Sequence, residues 1–148
     1  MFKPIKTPCI GICSTGIGDS VCRGCKRFAH EVIDWNAYDH DQRRIIEQRL
    51  TQFLVQVVAR YVVINDEGLL KSQLELQRVR YRDDRPPLCW VFDLFRAGAS
   101  QIKDPAQFGL TLLTNHTPTE IKANMDADYY ALSVAYYDAY IAPGLSAC

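Results

Sequence analysis

No apolar run in the 148 residues approaches the roughly 18 that a membrane-spanning helix needs. The opening stretch MFKPIKTPCIGIC also lacks the continuous apolar segment of a signal peptide. Net charge is absent too: 17 Lys+Arg balance 17 Asp+Glu, which speaks against a dedicated nucleic-acid coat or a polybasic membrane anchor. Motifs of common enzymes are missing. There is no glycine-rich phosphate loop, no Gly-x-Ser-x-Gly and no His-Glu-x-x-His, so a standard hydrolase or nucleotide enzyme is disfavoured. Internal repeats, heptads and low-complexity linkers are missing as well. Together these absences predict a soluble, cytoplasmic, globular protein with no membrane partner. A hydrophobic fraction of 48% and a charged fraction of 23% lie near the globular average, in a chain long enough for its own core.

Cysteine is what the chain has in quantity. Of six, Cys9, Cys13, Cys22 and Cys25 fall within 17 residues, while Cys89 and Cys148 stand apart. The cluster reads Cys-x3-Cys, eight residues, then Cys-x2-Cys. Without export signals, such close pairs read as ligands or redox groups before structural disulfides. Two pairs joined by a short glycine-bearing loop can bring four sulfurs to the vertices of a tetrahedron. Thiolates suit Zn2+ or an iron–sulfur cluster, and a four-thiolate site is closed to substrate. Gly11 and Gly24 inside the pairs let backbone N–H groups turn toward sulfur, and Arg23, Lys26 and Arg27 can offset the negative charge of such a centre. The competing interpretation is four reduced bystanders, or one pair cycling as a disulfide.

Around these residues the chain is recognisable. TPCIGICSTG, CRGCKRFAHEVIDW and YDHDQRRIIEQRL resemble a small bacterial domain family of unknown function labelled as predicted iron–sulfur proteins. Pro8, Cys9, Ile10, Gly11, Cys13, Cys22, Arg23, Gly24, Cys25, Arg27 and Trp35 match its pattern. Gln42 stands where the family commonly has Glu, and the loop STGIGDSV is slightly long. The resemblance covers residues 7–51, about a third of the chain. It implies metal binding and supplies no reaction. A four-cysteine count does not separate an iron–sulfur cluster from zinc, and both stay open.

Periodicity organises the rest. Phe28, Val32 and Trp35 recur at helical spacing, and Asp39-x-x-Gln42 is a capping-box variant that opens a helix to about residue 58. RYVVI (60–64) predicts a strand, and Asp66 caps a helix bearing Leu69, Leu70 and Leu74. RVRYR (78–82) alternates strictly and predicts a half-exposed strand; a helical hairpin through this middle region is the alternative. Pro86-Pro87 opens a helix ending at Gly98, Asp104-Pro105 a short turn closed by Gly109, and LTLL (110–113) a third short strand. Thr117-Pro118-Thr119-Glu120 caps a further helix. A last one near 127–141, with Tyr129, Tyr136 and Tyr140 on one face, is expected to stop at Pro143-Gly144. The expected fold class is α+β: a four-cysteine metal knuckle with helices over residues 1–58, then a small mixed helix and short-strand domain of unassigned role over 59–143.

Remaining residues carry weaker signals. Cys89, between Leu88 and Trp90, reads as a core cysteine, and Cys148 as a frayed end. His30, His40 and His116 are scattered and read as surface residues. Lys3, Lys6, Arg23, Lys26 and Arg27 give the N-terminal segment a basic balance. Arg78, Arg80 and Arg82 form a basic stripe that contacts a phosphate backbone or, more simply, pairs with Glu75, Asp83 and Asp84. The leading functional expectation is a non-enzymatic interaction module, stabilised by metal, that meets a protein or nucleic-acid backbone through basic residues. The alternative is a small iron–sulfur electron-transfer protein; third comes an enzyme with an unrecognised site in 59–143.

Overall fold

The computed structural model describes residues 4–146; Cys148, expected to be frayed, lies outside them. Helices dominate: α1 (Ala29–Asp34), α2 (His40–Val58), α3 (Glu67–Leu76), α4 (Pro87–Gly98), α5 (Pro118–Tyr136) and α6 (Ala142–Ser146). Two short strands, β1 (Val62–Ile64) and β2 (Leu110–Leu112), pair antiparallel with Val63 opposite Thr111. The α+β class therefore holds, as an α-rich chain with a minimal sheet.

Caps written into the sequence set most helix starts. The Asp39 N–H donates to Gln42 Oε1 at 2.9 Å, and the Gln42 N–H to Asp39 Oδ1 at 2.8 Å, closing the box before α2. Asp66 accepts from the Leu69 N–H at the head of α3, and Thr117 and Glu120 exchange bonds ahead of α5. Pro87 opens α4, where its missing N–H costs nothing. The turn at Pro105–Phe108 ends on Gly109 at φ 70°, and the glycine carbonyl accepts the N–H groups of Asn65 and Asp66.

Two expectations fail. Residues 78–82 form no strand. Instead α3 ends in a Schellman-type turn: Val79 N–H reaches Leu74 O at 2.9 Å, Arg78 N–H reaches Glu75 O at 3.1 Å, and Arg78 takes the left-handed conformation at φ 56°. The segment is then held by side chains, with Asp93 Oδ2 accepting the Arg82 N–H at 2.9 Å and Tyr81 packed edge-on against Trp90. The C-terminal helix does not stop at Pro143-Gly144 either. After α5 the chain makes a π-helical turn over Tyr137–Ile141 and enters α6, with Pro143 in its first turn, where proline is tolerated.

By compactness the chain divides into two units, Met1–Phe53 with Tyr129–Cys148, and Leu54–Asp128. This partition differs from a cut after residue 58 in returning the tyrosine-rich end of α5 to the N-terminal segment. In that first unit Phe28 stacks on Tyr136 (6.1 Å) and meets Tyr137 (5.3 Å), while Tyr129 Oη donates to Leu50 O at 3.2 Å. A bidentate pair from Arg49 to the buried Glu31 lies beneath, with the Arg49 guanidinium 4.0 Å over the Phe28 ring. The second unit buries Leu70, Leu74, Val91, Phe95, Phe108, Leu110 and Ile121 among others, and Cys89 is a core residue there as expected.

Candidate metal centre

Residues 20–29 fold back on themselves. Val21 and Phe28 form an isolated antiparallel bridge, Cys22 N–H donates to Arg27 O at 2.8 Å, and Lys26 N–H closes onto Cys22 O at 2.9 Å. Lys26 sits at φ 68°, the left-handed conformation that reverses the chain. This turn brings Cys22 and Cys25 together and buries them, at 1% and 6% exposure. Burial raises the Cys22 thiol, but hydrogen bonding with the Ser14, Cys25 and Gly24 backbone and the Cys25 thiol outweighs it and lowers it to about 7. Cys25 is pushed up by burial, against the pull of Arg27, whose Nε–H donates to its Sγ at 3.2 Å.

The first pair lies on the adjoining segment. Cys9 and Cys13 are exposed. Gly11, at φ 87°, donates its N–H to Cys9 Sγ at 3.4 Å, and Cys13 Sγ lies 3.2 Å from Thr15 Oγ1. Ile12 O accepts from the Cys22 thiol at 3.4 Å, and Ser14 Oγ accepts the Arg23 N–H at 2.8 Å. The approach is so close that a Cβ on Gly24 would stand 2.2 Å from Ile12 O. Among the described residues no three His, Cys, Asp or Glu side chains gather closely enough to hold a metal ion. Of the four expected ligands, Cys22 and Cys25 share one buried turn, and Cys9 and Cys13 lie exposed on the adjoining segment. The donor chemistry nevertheless suits a soft metal: thiols, with the Gly11 N–H donating to Cys9 Sγ and the Arg27 Nε–H to Cys25 Sγ.

The basic residues expected to face a partner are mostly spent inside. Lys26 is 1% exposed; its Nζ donates to the carbonyls of Arg23 and Gly24 and lies 5.4 Å from the Tyr129 ring centre. Arg27, 4% exposed, stacks over Trp35 besides binding Cys25. Only Arg23 is outward, paired with Asp19 at 3.2 Å and lying over Tyr130. The expected patch of fixed outward charge at 23, 26 and 27 is therefore corrected: carbonyls, sulfur and aromatic faces take up two of its three cations. In the second unit Arg82 forks onto Asp84 through two 2.8 Å bonds, whereas Arg78 and Arg80 are exposed and line a pocket. His30 lies against Phe28, and His40 and His116 lie beside Asp41 and Glu120. Sequence reasoning missed the Glu31–Arg49 pair, for which a charged residue on a helix face gives no signal of burial.

An α-rich chain whose N-terminal segment carries a cysteine turn defines the class of protein. Residues 7–54 match the model of the family described as Protein of unknown function (DUF1289), over the segment that carries all four clustered cysteines and in agreement with the resemblance read from the sequence. No curated protein and no solved structure matches the chain. No described helix is long and apolar enough to cross a membrane.

Proposed function

We propose that this protein is a metal-binding, non-enzymatic interaction module in which Cys9, Cys13, Cys22 and Cys25 hold one centre, Zn2+ or an iron–sulfur cluster. The observation that carries the reading is the Cys22–Cys25 turn, which buries two thiols beside the Cys9–Cys13 segment, with the Arg27 Nε–H donating to Cys25 Sγ and the Gly11 N–H to Cys9 Sγ. Such donors stabilise a thiolate, the form that binds metal. The segment bearing Cys9 and Cys13 already packs on this turn through Ile12 O, so joining the pairs needs a local rearrangement of exposed residues. A bound centre supplies folding free energy to a segment with few core residues of its own.

Protein is the partner class supported over a nucleic-acid backbone, because Lys26 and Arg27 are buried while Ile12 and Ile17, flanking Cys13, are 61% and 85% exposed. The test is metal analysis together with a visible spectrum of anaerobically isolated full chain. One centre per chain is expected. Stoichiometric zinc without colour supports a structural site, because Zn2+ is d10, and a visible absorption band supports a cluster and an electron-transfer role. A chain that carries no metal, and takes up none from Zn2+ or from iron with sulfide, overturns the proposal.

A further inference from the structure

The Leu54–Asp128 unit holds a pocket of about 290 Å3 lined by both apolar and cationic side chains. Leu94, Ile102 and Phe108, all buried in the fold, supply apolar walls. Arg78 and Arg80, both exposed, supply cations. Acidic groups nearby are engaged elsewhere: Asp84 takes the Arg82 fork, Asp93 takes the Arg82 N–H and Arg96, and Glu75 accepts from Tyr81. Among the described residues, neither Arg78 nor Arg80 has an acidic side-chain partner.

The backbone adds an independent observation. Arg78 holds φ 56° at the end of α3, a position where glycine pays no Cβ conflict and where arginine is strained. The chain thus places a long, unpaired cation beside a pocket at a position where its own folding favours glycine. Strain of this kind gathers at binding sites, where the contact it presents offsets it.

We propose that this pocket binds a small amphipathic carboxylate, its apolar body against Leu94, Ile102 and Phe108 and its carboxylate on Arg78 and Arg80. Guanidinium forks match carboxylates in shape and charge. The volume lies at the small end for ligand sites, which limits the body to a short chain or a single ring. Apolar walls are of no use to an extended phosphate backbone, which needs a charged track instead.

The experiment titrates the full chain with octanoate and, separately, with octanol, its uncharged counterpart, reading amide shifts by NMR and affinity by calorimetry. Saturable octanoate binding is expected, with shifts at 78–80, 94–102 and 108, and octanol weaker by about tenfold or more, the value of a charge-assisted contact. Arg78→Gly should weaken octanoate binding by about tenfold while its melting temperature holds or rises, since glycine relieves the left-handed strain. Arg80→Gln should weaken binding as well. Equal affinity for octanol, absence of saturation, unchanged binding in both variants, or a single-stranded RNA oligonucleotide displacing octanoate from these residues each overturns the proposal. A lower melting temperature in Arg78→Gly also overturns it, because the arginine would then serve the fold.

Discussion

Asp93 carries a charge problem that the fold leaves partly unsolved. Burial pushes its carboxyl up from the usual 3.8, against the lowering pull of the Arg82 N–H and the Arg96 guanidinium. As pH rises through that ordinary value the unfolded chain gives up the proton first, while the folded chain keeps it. The native state then binds more protons, so the stability Asp93 contributes is full below the ordinary value and declines as pH rises through the folded one. Asp93→Asn keeps an oxygen for the Arg82 N–H and removes the ionisation. Denaturant melts of both proteins across the acidic range should show wild type losing stability relative to the variant as pH rises, and a flat difference would mean that Asp93 ionises normally. The apolar run around it, Leu88–Phe92 and Leu94–Phe95, hints that Asp93 lies inside, but spacing alone does not show that the Arg82 N–H and Arg96 satisfy it there. Lys26 and Arg27 misread for the same reason. A cation next to Cys-x-x-Cys looks like surface, and only the turn's own carbonyls, sulfur and aromatic rings show how it is satisfied within. The cysteine turn is legible as far as local chemistry reaches: a two-residue spacing closes through its own hydrogen bonds, whereas the spacing to Cys9 and Cys13 does not say what those exposed thiols meet.

Helix starts are legible because caps are local, with donor and acceptor within three residues of each other, and α2, α3, α4 and α5 begin where Asp39, Asp66, Pro87 and Thr117 say. The strand expected at 78–82 was illegible as a turn because alternation records exposure, not pairing. A strand exists only if a partner lies alongside, and here β1 pairs with β2 instead. The sheet depends on one backbone junction. Gly109 precedes β2 at φ 70°, its carbonyl accepts the Asn65 and Asp66 N–H groups, and a Cβ on it would lie 2.4 Å from Asp66 O. Gly109→Ala must therefore move the backbone that caps α3 as well as the turn before β2. The expected cost is about 2–3 kcal/mol, from left-handed strain and displaced hydrogen bonds together. Urea denaturation measures it, and a loss below about 0.5 kcal/mol would show that the junction yields freely.

On the scale of the whole chain, the tyrosine-rich end of α5 groups with the cysteine turn, more than a hundred residues earlier in sequence. Periodicity predicts that Tyr129, Tyr136 and Tyr140 share a face but not what that face meets, since helical spacing carries no address. The structure supplies the address: Lys26 over Tyr129, Arg23 over Tyr130, and Phe28 against Tyr136 and Tyr137. Every one of these contacts comes from residues 23–28, the stretch whose conformation the Cys22–Cys25 turn sets. If the cysteines hold a metal centre, losing it must loosen this stretch and, through the shared aromatic faces, the end of α5. Cys22→Ser in the full chain removes one sulfur at nearly constant volume. Hydrogen exchange should then accelerate together over residues 20–29 and 129–141, while β1, β2 and α4 keep the protection of wild type. The coupling has a physical basis in Tyr129, whose hydroxyl ties α5 to Leu50 and whose ring carries Lys26, so opening one side exposes the other. Faster exchange at 20–29 with an unchanged 129–141 would mean that the aromatic contacts are too weak to transmit the loss. Uniform acceleration across β1, β2 and α4 would mean that the two compact units unfold as one.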